Sequence, residues 1–273
     1  MPIEVIARQL KRGRIRYALF DFDGTLSLIR EGWQQIMIPM MVEALLDTPA
    51  HESETELLQI VTSYVAELTG KQTIYQMLRL GEEVAKRGAI PRDALDYKRA
   101  YLARLRQHIR DRLSALESGV TAPDDLLVPG SREMLTELER KGVELYLASG
   151  TDAEDVLTEA RLLRLDGFFQ DRIFGALDRY WEFSKARLVA ELIRRHKLAG
   201  PELLGVGDGY VEIENTKAVD GIAVGVASDE ARRAGINQWK RERLIRAGAD
   251  IIIPDFREHE SLIALLWDEA ELS

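Results

Sequence analysis

Residues 17–26 read YALFDFDGTL: an apolar run ends in two aspartates one residue apart, then a glycine and a threonine. Two carboxylates at that spacing repel each other and hold water strongly, so a buried strand gains nothing from them. At the tip of a strand, however, they can serve a cation. A second acidic tip, GVGD at 205–208, also ends an apolar run. Asp21 and Asp208 on neighbouring strand tips, with a backbone carbonyl and waters, suit Mg²⁺, which keeps much of its hydration shell. A metal beside a phosphoryl group makes an aspartate competent as a nucleophile. A carboxyl two residues on can protonate the leaving oxygen and then deprotonate the hydrolytic water. Gly24 lets the backbone turn close to a ligand.

The elements that must hold these residues follow from the texture of the chain. Residues 15–27 read as a buried strand and a loop, and residues 28 to about 125 as helices only. Trp33, Ile36, Met37, Met40 and Ala44 recur at helical spacing, with a kink expected at Pro39. Three further stripes, led by Leu57, Ile74 and Leu95, are separated by Gly70, by Gly88 and by Pro91, which gives a small antiparallel bundle of four helices. From about 126 the short apolar runs VELYLAS, RIFGAL, ELLGVGD, IAVGVAS and DIIIPDF alternate with helical segments. That alternation implies parallel strands with right-handed crossovers. The expected fold class is α/β, a Rossmann-like open parallel sheet formed by residues 1–27 and 126–273, with an all-helical domain inserted over 28–125. In such sheets ligands bind beyond the carboxyl ends of the strands. DFDGT at 21–25, ASGT at 148–151 and GDGYVEIE at 207–214 are therefore treated as one site.

Bulk composition narrows the partners. A net charge of -9 argues against nucleic acid or an acidic membrane surface. Cysteine is absent, which removes thiolate chemistry and fits a reducing cytoplasm. No segment reaches the ~18 apolar residues of a membrane span. The four histidines, at 51, 108, 196 and 259, lack ligand spacing. RRHK and KRER read as solvated helix faces. Thr151 with Glu154 reads as a capping box.

DFDGTL, LASGT, SK and GVGDGYVEIE, in this order, resemble the haloacid dehalogenase superfamily, and within it the phosphatases with a helical cap, such as phosphoglycolate phosphatase and beta-phosphoglucomutase. The resemblance implies that Asp21 is nucleophile and metal ligand, and that Asp23 is general acid/base and gives its carbonyl to the metal. It further implies that Ser149 and the Gly150 amide hold the phosphoryl oxygens, that Lys185 neutralises charge, and that Asp208 is the second carboxylate ligand. Dehalogenases, ion-pumping ATPases and phosphonatases lack an acid at the position of Asp23, which favours a phosphatase or mutase. Where the family often has a second aspartate four residues after the first, this chain has Glu212, with Glu214 a competing candidate for support of the metal.

The function expected is a Mg²⁺-dependent hydrolase of a small phosphorylated metabolite. The rivals are a sugar phosphomutase sharing the first half-reaction and a silent phospho-ligand binding protein. Arg30 and Trp33, just after the first motif, could line the entrance. Lys71 and Gln72, on the polar loop TGKQT at 69–73, are the candidates for contact with the leaving group.

Overall fold

A computed structural model describes residues 3–182 and 184–267 of the chain, which divides into two compact units: residues 1–31 with 115–273, and residues 32–114. The helical unit begins 4 residues later and ends 11 residues earlier than the 28–125 expected from the change of texture. Leu28 explains the first shift: its amide bonds to the Leu126 carbonyl, which ties residues 28–31 to the α/β unit.

The α/β unit is built on seven strands: β1 (Glu4–Val5), β2 (Tyr17–Phe20), β3 (Glu144–Asp152), β4 (Ile173–Ala176), β5 (Leu203–Gly207), β6 (Ile222–Val226) and β7 (Ile251–Ile253). They form one sheet in the order β1-β7-β6-β5-β2-β3-β4, parallel throughout except β1, which runs antiparallel to β7. The chain moves outward from β2 through β3 to β4, then returns to the other side of β2 to lay down β5. The strand order therefore reverses between β2 and β5, and a crevice opens at that switch point.

The helices, in chain order, are α1 (Trp33–Leu46), α2 (Glu54–Leu68), α3 (Thr73–Lys86), α4 (Ala94–Glu117), α5 (Ser131–Arg140), α6 (Ala153–Leu162), α7 (Asp166–Phe169), α8 (Lys185–His196), α9 (Tyr210–Lys217), α10 (Gln238–Arg246) and α11 (His259–Trp267). The central strand β2 is buried along its whole length, as a strand covered on both faces must be. Tyr17 and Leu19 pack with Leu188, Val189 and Leu192 of α8. On the opposite face Phe20 meets Phe169 and Phe256, with ring centroids 6.4 Å and 6.3 Å away.

The helical unit contains α1, α2, α3 and most of α4. Helix α1 continues through Pro39 and buries Met37, Met40, Met41 and Leu45. Ser53 caps α2 in a reciprocal box with Glu56, and Tyr64 of α2 donates to the sulfur of Met41. Gly70 and Gly88, with positive φ, close α2 and α3.

Candidate active site

The turn after β2 is set by one carbonyl. Phe22 is fully buried, and its oxygen accepts from the amides of Thr25, Leu26 and Ser27. The chain bends back over it, which leaves Asp21 at the strand tip and Asp23 on the crest. Gly24 is required at that crest. Its φ is +74°, and a Cβ there would lie 2.4 Å from Asp208 Oδ2, so any side chain is strained and also collides with a carboxylate.

Asp21 lies at the switch point, beside the end of β5: its amide bonds to the Val206 carbonyl. The Asp208 amide in turn donates to Thr25 Oγ1 at 2.9 Å. The threonine of DGT thus ties the two acidic strand tips together. Asp21 is only 6% exposed. Lys185, the first residue of α8, donates to Asp21 Oδ1 at 2.6 Å and also to Glu212. A lysine at a helix start opposes the macrodipole, and two carboxylates offset that cost. Burial pushes the Asp21 carboxyl well above its ordinary value; Lys185 pulls it back, while Glu212 and Asp208 push it higher. Burial lowers the Lys185 ammonium, but Asp21 and Glu212 more than reverse this and hold it above the usual lysine value.

Asp23 is held from the other side. Ser149 Oγ donates to Asp23 Oδ2 at 3.3 Å and Thr151 Oγ1 donates to the same oxygen at 2.8 Å. The Ser149 hydroxyl also accepts from the Thr151 amide. The capping-box expectation for Thr151 is corrected here. Strand β3 does not stop at Ala148 but continues, through an irregularity in its pairing with β4, to Asp152, which is the N-cap of α6. Thr151 is therefore a strand residue turned toward Asp23. Gly150, between the two hydroxyl residues, is partly exposed.

Arg30 is buried and faces three acids. It donates from both Nε and Nη2 to Glu159 and from Nη2 to Asp155 at 3.1 Å, and its Nε stands 3.9 Å from Asp23 Oδ1. Burial raises the Glu159 carboxyl to about 7 against the pull of Arg30. Burial lowers the Arg30 guanidinium, yet Glu159 and Asp23 leave it above its ordinary value. The guanidinium thus braces Asp23 from within the α/β unit, a different placement from the entrance position expected of it.

A second lysine escaped the sequence reading. KRER at 240–243 is not a solvated face: Lys240 is buried, and its Nζ lies 2.7 Å from Asp208 Oδ2 and 2.7 Å from Glu230 Oε1. Arg241 pairs with Glu4, and Arg243 stands over the rings of Tyr210 and Trp239. Nothing in the spacing of KRER marks Lys240. The available signal was the first-turn position of a cation, the same one that pointed to Lys185. Of the two glutamates after Asp208, Glu212 is buried against Lys185 and Glu214 is exposed. Lys71 is exposed, and Gln72 is buried in the helical unit at the start of α3.

Asp21, Asp23, Asp208, Glu212 and Glu230 are linked through shared contacts or mutual electrostatic influence, with Lys185 and Lys240 as bridging cations. Five carboxylates against two ammoniums leave an excess of negative charge. Two buried carboxylate oxygens, Asp23 Oδ1 and Glu212 Oε2, have no hydrogen-bond partner. Among the described residues no group of three or more His, Asp or Glu side chains is placed to hold a metal ion by itself. Mg²⁺ does not need one, since one or two carboxylates, a carbonyl, waters and a substrate phosphate suffice. The residues present fit such an ion in charge and in chemistry.

The family model for haloacid dehalogenase-like hydrolases matches residues 15–220. The chain belongs to that family. A predicted phosphoglycolate phosphatase from Haemophilus somnus is similar in structure, with a TM-score of 0.59 at 16% identity over 91% of this chain and 98% of the other. The beta-phosphoglucomutase of Clostridium difficile gives a TM-score of 0.59 at 12% identity, covering 95% of this chain and 100% of the other. CbbY from Rhodobacter sphaeroides, solved in complex with phosphate, gives 0.56 at 19% identity over 89% and 96%. At these identities the likeness is one of fold. No curated protein matches the sequence. Among the described residues no helix is long and apolar enough to cross a membrane.

Proposed function

We propose that the protein is a Mg²⁺-dependent phosphatase that cleaves a small phosphomonoester through an aspartyl-phosphate on Asp21. The observation that carries this reading is the buried Asp21 carboxylate at the switch point, held by Lys185, with a second carboxyl, Asp23, two residues away on its own hydrogen-bonded mount. Asp21, Asp208 and the Asp23 carbonyl, with Glu212 in support, would hold the cation, which would supply charge stabilisation for the phosphoryl oxygens.

The chain's own residues do the rest. An Asp21 oxygen attacks phosphorus as the ester bond breaks, and Asp23 gives its proton to the departing oxygen. Asp23 then takes a proton from water. That water attacks phosphorus, and the acyl phosphate bond breaks to release phosphate and restore Asp21. Lys185 favours the ionised form of Asp21 against the effect of burial and balances charge on the transferred group. Ser149 and the Gly150 amide are assigned to the phosphoryl oxygens, because the reaction needs mainly positioning and electrostatic stabilisation. Arg30 positions Asp23. Phosphate alone does not distinguish one monoester from another, and Lys71 and Gln72 are assigned to recognition of the leaving group.

Phosphate release from a panel of phosphorylated metabolites with Mg²⁺ tests the reading, with Asp21→Asn as control. Turnover that persists in Asp21→Asn, or full activity after exhaustive chelation, overturns it. A sugar 1-phosphate that isomerises without releasing phosphate selects the mutase instead.

A further inference from the structure

Helix α10 lies far along the chain from the motifs, yet it is steered onto them. The loop after β6 folds back through an antiparallel bridge between Ser228 and Ile236, and the Asn237 amide bonds to the Ala227 carbonyl. Asn237 caps α10 by accepting the Lys240 amide. This fixes Lys240 in the first turn of a helix, where a cation opposes the macrodipole, and buries it. Its ammonium meets three acceptors: Asp208 Oδ2 at 2.7 Å, Glu230 Oε1 at 2.7 Å and Ser228 Oγ at 3.2 Å. Three acceptors match the three N–H bonds of an ammonium. Ser228 in turn donates to the Gly24 carbonyl at 2.7 Å. The Cβ position of Gly24 lies within 3.0 Å of Glu230 Oε1 as well as close to Asp208 Oδ2.

These contacts form one brace between Asp208 and the DGT turn. Lys185 bridges Asp21 and Glu212, and Lys240 bridges Asp208 and Glu230 in the same manner. Without Glu230, Lys240 would cancel the charge of Asp208 and work against a cation there. With it, the Lys240–Glu230 pair is neutral and leaves the Asp208 charge available.

We propose that Lys240 is a positioning residue for Asp208: with Glu230 as counter-ion and Ser228 as tether, it fixes one oxygen of the Asp208 carboxylate and leaves the other for the divalent cation. This rests on the reading of Asp208 as a metal ligand. The partners of a ligating carboxylate set its orientation, and their loss typically weakens metal binding by roughly 10- to 100-fold.

The test is a calorimetric titration of the chelator-treated full-length protein with MgCl₂. The double variant Lys240→Met/Glu230→Gln removes the brace without changing net charge. It is expected to bind Mg²⁺ about 10- to 100-fold more weakly with an unchanged circular dichroism spectrum. Lys240→Arg, which keeps the charge and the reach, is expected to stay within about threefold of wild type. Equal affinity in the double variant overturns the proposal. Tighter binding also overturns it, since Lys240 would then compete with the cation. If the double variant does not fold, Ser228→Ala reads the same brace through its tether: binding weakened by about threefold or more supports it, and unchanged affinity refutes it. A wild-type protein that binds no Mg²⁺ overturns the ligand role of Asp208 and this proposal together, whereas a wild type that binds alongside an unaffected double variant overturns the proposal alone.

Discussion

Lys185→Met isolates the charge balance at the switch point. The ammonium lies 2.6 Å from Asp21 Oδ1 and also contacts Glu212, and all three side chains are buried. Methionine matches the stem in length and leaves two carboxylates without a counter-ion. Breaking a buried pair from one side costs about 3–5 kcal/mol. For a chain of this size that corresponds to a fall in Tm of roughly 6–20 °C. The loss must depend on pH. Asp21 is already held well above the ordinary carboxylate value by burial and by its acidic neighbours, and without Lys185 it rises further. In acid the variant relieves the repulsion by taking up a proton, so its deficit shrinks. Thermal melts in chelator should therefore show a larger deficit at high pH than at low pH. A deficit below about 1 kcal/mol at the higher pH, or an equal deficit at both, would refute the claim that Lys185 neutralises Asp21 and Glu212.

Four further outcomes are expected. Asp23→Asn should slow phosphate release by about 10²- to 10⁴-fold while sparing Mg²⁺ affinity, and the loss should shrink for esters with very good leaving groups; an equal loss on those esters removes its role as acid. In wild type, the raised Asp21 and Glu230 carboxyls mean that the folded state binds protons more tightly than the unfolded chain, so their contribution to stability is present below the ordinary carboxylate value and is lost as pH rises through the folded values. Mg²⁺ should accordingly raise Tm more near about pH 8 than near about pH 5, and a shift that is independent of pH contradicts this. Thr151→Val, which deletes the 2.8 Å hydrogen bond to Asp23, should lower kcat about tenfold or more with little change in KM; a change confined to KM would place Thr151 on the substrate instead. Lys71→Ala with Gln72→Ala should reduce kcat/KM about tenfold for the physiological ester and leave p-nitrophenyl phosphate nearly unaffected, whereas equal losses on both would assign the loop to the fold.

What the sequence made legible was the local chemistry. The aspartates of DFDGT, the position of Lys185 and the acid of GVGD each sit within a short motif whose neighbours determine its backbone. An apolar run of four to five residues followed by an acid and a glycine is enough to place a carboxylate at a strand tip. The strands from β2 to β7 were legible for the same reason, since a strand covered on both faces is a continuous apolar run. Strand β1 was not, because two residues at an edge carry no pattern. The end of β3 was misjudged because serine, glycine and threonine are common at turns. What holds them in place is the pairing of the flanking Ala148 and Asp152 with β4 and the bonds from Ser149 and Thr151 to Asp23, neither of which is encoded locally.

Lys240 belongs to the class of residues that only tertiary structure reveals. It sits in a run of charges, and its partners, Asp208 and Glu230, lie 32 and 10 residues earlier in the chain. Yet its placement follows the same rule as that of Lys185. Each is fixed in the first turn of a helix, each is buried, and each lies between two carboxylates, so the helix dipole and desolvation both oppose it and only the paired acids hold it there. Cations placed against two unfavourable terms are found where negative charge is concentrated by necessity. At this switch point that necessity is the set of carboxylates gathered around Asp21. The two lysines offset part of that charge, and under the proposed function the remainder would draw a divalent ion and, through it, a phosphate to a protein whose overall charge would repel both the phosphate and its ester.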